Sequence, residues 1–97
     1  MNNLLLPYLD AVLFWDVKKD ELQEDKNASY IIRRVFELGD IQEIILTHAF
    51  YGTDRCREAL LTADYLREAA IVQGMAFLNI PQRTLFKSFD KKQYHAL

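Results

Sequence analysis

The sequence predicts an all-α fold, a compact single domain of about five short helices, and three observations carry that prediction. Only three Gly and two Pro occur in 97 residues, too few for the turns of a small β fold. Apolar residues recur at i, i+3, i+4 and i+7 over most of the chain from residue 28 onward, which is helical and not strand spacing. Helix stop and start signals stand back to back at Gly39-Asp40 and Gly52-Thr53.

The first element follows Pro7, whose fixed φ suits a first helical turn, and runs into "VLFWDV" at residues 12–17. Here Phe14 and Trp15, the only tryptophan, are expected to be buried across the bundle. Asp16 falls at the exit of the segment, placed to cap a turn or meet Arg33 or Arg34. Trp15–Asp16 therefore reads as a clasp for the N-terminal segment. Residues 16–28 are the most polar stretch and read as an exposed connector. Their acids lack the central glycine and ligand rhythm of a calcium loop.

Asn27 or Ser29 can cap the next helix, with Ile31, Ile32, Val35, Phe36 and Leu38 on its apolar face and Gly39 as its C′ residue. Asp40 and Glu43 form an acidic capping box for the following helix, whose expected inner face is Ile41, Ile44, Ile45 and His48. Gly52 ends it after Tyr51. A third regular helix starts at Thr53 or Asp54 and buries Cys56, Ala59, Leu60 and Ala63. The segment after Tyr65–Leu66 is so apolar that it is expected to be the most buried helix, with Gly74 marking a close neighbour. Pro81 opens a last short helix with Leu85, Phe86 and Phe89 inward, and residues 90–97 read as a frayed tail.

The charge balance narrows the function classes. A net charge of −2 gives no overall pull toward nucleic acid or an anionic membrane. Residues 1–48 hold nine acids and five bases, residues 49–97 five acids and seven bases, so an anion-binding face belongs to the second half. Cys56 is the only cysteine, which excludes an internal disulfide and a cysteine-based zinc site. The N-terminus has neither the basic start of a signal peptide nor the length of a membrane span, and a cytoplasmic protein is expected.

Catalysis is not expected. His48 lies on an apolar stripe with no His, Cys or Asp at i+3 or i+4, and His95 is three residues from the end. Cys56 is flanked by Arg55 and Arg57, yet its place on an apolar face favours an inert buried thiol. Isolated glycines build no phosphate-cradling loop, and no cofactor or metal is expected.

"VFELGDIQEII" (35–45) has the order of a helix-turn-helix, but the would-be recognition helix offers Gln42, Glu43, Thr47 and His48 and no Arg or Lys. Pairing 54–64 with 67–78 gives a second helix almost wholly apolar. A nucleic-acid-binding regulator of helix-turn-helix type is thus the alternative reading. The leading one is a protein-interaction module. Arg55, Arg57, Arg67, Arg83 and Lys87, with Lys91 and Lys92, supply a basic face for an acidic partner, and exposed Tyr51 or Tyr94 the aromatic anchor. A homodimer is compatible with the composition. Arg33–Arg34 read as a surface pair, Arg34 bonding Glu37 within its helix.

"LFWDV" (13–17), "IIRRVFELGDIQEI" (31–44), "YG" (51–52), "REAL" (57–60) and "YLREAAIVQGMAFLNIP" (65–81) occur in an order that resembles a small bacterial, Bacteroidetes-type family of unknown function. The resemblance covers Leu13 to Phe86. It implies an accessory or antitoxin-like protein beside a nucleotidyltransferase-type toxin, and no catalytic residue. The chain departs from the pattern at Arg67-Glu68-Ala69, where a Ser-Pro-Lys-like helix opening is expected.

Overall fold

The stretch ASYIIRRVFEL winds as α1 (Ala28–Leu38) in the computed structural model, which describes residues 4–89. Its apolar positions bury Ile31, Ile32, Val35 and Phe36 completely, and α1 packs against every other α-helix of the domain. Those are α2 (Ile41–Tyr51), α3 (Thr53–Leu61) and α4 (Glu68–Leu78). Single 3-10 turns occupy Leu6–Tyr8, Ala11–Phe14, Lys19–Glu21 and Arg83–Leu85. No strand occurs among the described residues, and the class is all-α as predicted. The α-helices number four there because both end segments wind as 3-10 turns. The tail at 90–97, with Lys91, Lys92, Tyr94 and His95, lies outside the described residues.

The burial pattern corrects expectations on three helices: Leu38, expected on the inner face of α1, is exposed. Helix α4 is not the most buried; α1 is. Only Ala70, Gly74 and Leu78 of α4 are buried, a narrow i, i+4, i+8 edge that leaves Ala69, Val72 and Ala76 outside. At that edge a Cβ on Gly74 would stand 2.8 Å from Leu60 Cδ1, the close approach its glycine signals. Helix α2 is rotated from its expected face: Glu43, Ile44 and Thr47 point inward, while Ile41, Ile45 and Leu46 are exposed. Hydrogen bonding explains the rotation. Glu43 Oε1 accepts from the Asp40 N–H at 2.9 Å and Oε2 from the Asp10 N–H at 2.8 Å, which draws this side chain into the domain. The Asp40 carboxylate completes the capping box by accepting from the Glu43 N–H at 2.8 Å.

Gly39 ends α1 as expected but in extended backbone, φ −72°, not in the left-handed region. A side chain is excluded there because its Cβ would lie 2.6 Å from the Val35 carbonyl oxygen. Gly52, at φ 88°, does need glycine's conformational freedom. Asn27 is the N-cap residue of α1, but its side chain accepts from the Gln23 N–H at 2.9 Å and makes no cap bond.

The polar stretch 16–28 does more than connect. Glu24 Oε2 accepts from the Leu5 and Leu6 N–H groups, each at 3.0 Å, and Lys19 Nζ donates to the Leu9 carbonyl at 2.6 Å. These bonds press Leu5, Leu6, Leu9, Leu13 and Phe14 into the core. At the other end Phe86 is buried and Phe89 half-buried, but Leu85 is exposed, because the segment makes only one 3-10 turn and not a helix.

Candidate interaction surface

Trp15 is 69% exposed, which overturns its expected burial. The reason is local geometry. A 3-10 turn has three residues per turn, so Val12 and Trp15 eclipse on one side while Leu13 and Phe14 take the core side. Val12 is likewise exposed. Phe14 is buried as expected.

The exposed indole is nonetheless held. The Arg34 guanidinium carbon lies 5.7 Å from its ring centroid, a cation–π distance. Arg34 itself is only 7% exposed, which corrects its reading as a surface residue. Its Nε donates to the Leu13 carbonyl at 3.0 Å, and its two terminal nitrogens lie 3.6 Å from Asp16 and 3.8 Å from Glu37. Asp16 meets Arg34 as expected and also accepts from the Tyr30 hydroxyl at 2.5 Å. That hydroxyl bond holds the Asp16 carboxyl below its ordinary pKa, with Arg34 adding to it. Burial, then the bond to Asp16, pushes Tyr30 up to about 12. Trp15 is therefore a large aromatic group presented on a braced turn, with its backbone carried by buried neighbours.

Of the basic residues singled out in the sequence, Arg67, Arg83 and Lys87 gather about the N-terminal end of α4, through Glu68 and Asp64, while Arg57 and Arg55 lie elsewhere. Arg57 reaches the C-terminal end of α4, its Nε donating to the Leu78 carbonyl at 2.7 Å and Nη2 to the Asn79 carbonyl at 2.9 Å. Arg67 stands at the N-terminal end of the same helix. Eleven residues separate the two ends, about 16 Å of helix. Arg83 is paired with Glu68, and Lys87 with Asp64 at 2.7 Å. Tyr51 is half-buried and not an exposed anchor: its hydroxyl donates to the Glu24 carbonyl at 2.8 Å. Arg55 lies 5.3 Å from the Tyr51 ring centroid and 3.7 Å from Asp25, at a cavity of about 620 Å³ beside the connector.

His48 Nε2 hydrogen-bonds Thr53 Oγ1 at 2.7 Å and so joins α2 to α3 across Gly52. Cys56 is fully buried, and burial pushes its thiol up to about 11. Among the described residues no group of three or more His, Cys, Asp or Glu could hold a metal ion. No described helix is long and apolar enough to cross a membrane.

Sequence reasoning missed Trp15 as a surface group, and with it Tyr65, which is 71% exposed in the loop between α3 and α4. A signal for Trp15 was present: Val12 and Trp15 sit three apart, and charged residues follow at once in "WDVKK". Asn79 was also missed; it ends α4 at φ 55°, the left-handed cap that asparagine tolerates.

No curated protein and no solved structure matches the chain. A family model does, over residues 9–60, from Leu9 through the Trp15 turn, α1 and α2 to Leu60 near the end of α3. Trp15 and Arg34 lie within the matched stretch, and the chain belongs to that family of unknown function (DUF6922).

Proposed function

We propose that this chain is a non-enzymatic protein-interaction module, the antitoxin-like or regulatory partner of another bacterial protein. One observation carries the reading: a single exposed tryptophan is braced over a buried arginine. Rigid aromatic side chains ringed by polar groups are the usual anchors of protein interfaces, since little entropy remains to be lost on binding. The exposed Val12 beside Trp15 extends the apolar contact, and Arg67, reached through the cavity that Arg34 also lines, supplies charge toward an acidic partner. The antitoxin-like role rests on the sequence resemblance described above.

The nucleic-acid reading fares worse on charge. Helix α2, the would-be recognition helix, exposes Ile41, Ile45 and Leu46 and contains no Arg or Lys to meet phosphate.

The test is co-purification with the protein encoded beside this chain in its own genome. Wild-type chain retains that protein, whereas Trp15→Ala and Arg67→Glu release it at a temperature well below their own melting transitions. Retention by the double variant, or no complex with wild type, rejects the proposal. A salt-dependent DNA mobility shift abolished by charge reversal at Arg55 and Arg57 would replace it with the regulator reading.

A further inference from the structure

Helix α2 carries apolar residues on both of its sides. Ile44 faces the core with Thr47, while Ile41, Ile45, Leu46 and Ala49 face outward with Gln42 among them. A helix that is apolar all round is normally enclosed on every side, and α2 is enclosed on one. Its outer face also lacks charge. The helix contains no Lys, Arg or Asp. Its one carboxylate, Glu43, is buried in bonds to the Asp10 and Asp40 N–H groups, and His48 is half-buried against Thr53.

Shape and charge make this face complementary to itself. Ile41, Ile45 and Ala49 stand at i, i+4 and i+8 and form one ridge along the exposed side. Laid antiparallel on a copy about a two-fold axis at Ile45, the ridge sets each Ile41 against the other copy's Ala49, large against small, and Ile45 against itself. The same arrangement opposes the two helix dipoles, positive end to negative end. An acidic or basic partner finds no counter-charge on α2. Two copies bring no like charges together there, although each chain carries a net charge of −2.

We infer that the outer face of α2 is the two-fold interface of a homodimer. Its area bounds the strength. Ile41, Ile45 and Leu46 are 59%, 46% and 42% exposed. With Gln42 and Ala49 they offer on the order of 350 Å² per copy, and their flanks bring the whole contact to about 1,000 Å², the lower limit of a specific interface. A contact of that size dissociates on the order of 10–100 μM, so the dimer forms and parts with concentration. Helix α4 offers less outward, Ala69, Val72 and Ala76, and its start carries the Glu68–Arg83 ion pair. The interface uses neither Trp15 nor Arg67 and stands apart from the protein-interaction reading, because it needs only the isolated chain.

Sedimentation velocity of the full chain from about 1 μM to about 1 mM tests the inference. The weight-average mass is expected to rise from one chain to a plateau at two. Ile45→Glu, at the two-fold axis, and Ile41→Glu each weaken association about tenfold or more by burying a carboxylate against the other copy. Ile41→Glu guards against a folding artefact. Its acid lies in the first turn of α2, where the helix dipole favours negative charge, so the variant melts no lower than wild-type monomer. Val72→Glu, on the exposed side of α4, leaves association unchanged. A mass of one chain up to about 1 mM overturns the inference, as does a mass that climbs past two chains without a plateau. Dimers that survive Ile41→Glu, or that part on Val72→Glu as readily, overturn it too.

Discussion

The Asp10 N–H donates to Glu43 Oε2 at 2.8 Å, joining the N-terminal segment to the first turn of α2 across 33 positions of sequence. The other oxygen of the same carboxylate closes the α2 capping box. One side chain thus satisfies two backbone donors that nothing else reaches. Removing it as Glu43→Ala costs a cap, about 0.5–2 kcal/mol, and leaves the part-buried Asp10 donor unpaired, about 1–3 kcal/mol more. A fall in melting temperature on the order of 10–20 °C follows for a domain of this size. Glu43→Gln, which keeps one acceptor oxygen, loses about half as much. Circular-dichroism melting checks both, and Glu43→Ala melting with wild type would remove the tether from the account.

Neighbouring aromatics of the second 3-10 turn separate stability from surface. Phe14→Ala empties a core position and costs about 3–5 kcal/mol. Trp15→Ala removes an exposed ring and one cation–π contact, so about 1 kcal/mol or less. Denaturant melts compare the two directly. The exposed indole also predicts ready quenching of tryptophan fluorescence by acrylamide in the native state. A Trp15 shielded from the quencher would contradict its place on the surface.

How far the sequence revealed this depended on the range of the forces involved. The α1 face, the Asp40–Glu43 capping box and the Gly74 approach are set by residues within a turn or two of each other, and each could be read from spacing. The α2 face could not, because its rotation comes from the Asp10–Glu43 bond across the chain. Trp15 was misplaced for a different reason. Helical spacing over five apolar residues does not distinguish 3.6 from 3.0 residues per turn, and that difference decides which side of the segment it faces. Among the candidate basic residues, type and exposure were legible but not partners: Arg57 was free in the sequence and is a helix cap in the structure.

Stability is expected to fall at both ends of the pH range. Asp16, Glu24, Asp64 and Glu68 all hold pKa values below their ordinary ones. At Glu24, burial opposes the shift, and the Leu6 and Leu5 N–H bonds outweigh it. A depressed folded pKa means the unfolded chain binds protons first as pH falls. Their contribution is therefore complete above ordinary values of 3.8 for Asp and 4.5 for Glu, and is lost progressively below them. Cys56 and Tyr30 run in the opposite direction. Both are raised, to about 11 and about 12, so their contribution is complete below 9 and 10 and disappears as pH climbs to those folded values. Melting temperature against pH should give a plateau with an acid limb beginning near 4 and an alkaline limb beginning near 9. Glu24→Gln should flatten part of the acid limb. Cys56 should also resist alkylation at pH 8 until the chain is unfolded, and native labelling as fast as that of the denatured chain would refute its burial.

Arg57 and Arg67 mark opposite ends of α4, and their substitution distinguishes a structural cation from an interface one. The Arg57 fork bonds the Leu78 and Asn79 carbonyls, where the helix leaves acceptors unsatisfied and its dipole favours positive charge. Charged hydrogen bonds of this kind contribute about 1.5–3 kcal/mol when buried, and the half-exposed position lowers that to about 1–2 kcal/mol for Arg57→Ala. Arg57→Lys keeps the charge but not the two-point geometry and recovers only part of the loss. Arg67 reaches Glu37 through its backbone N–H, which Arg67→Ala retains, so its melting point should stay within about 0.5 kcal/mol of wild type. A binding defect in Arg57→Ala then tracks the loss of fold and disappears when the variant is assayed below its melting transition. A defect in Arg67→Ala at unchanged stability has no such explanation and belongs to the surface itself.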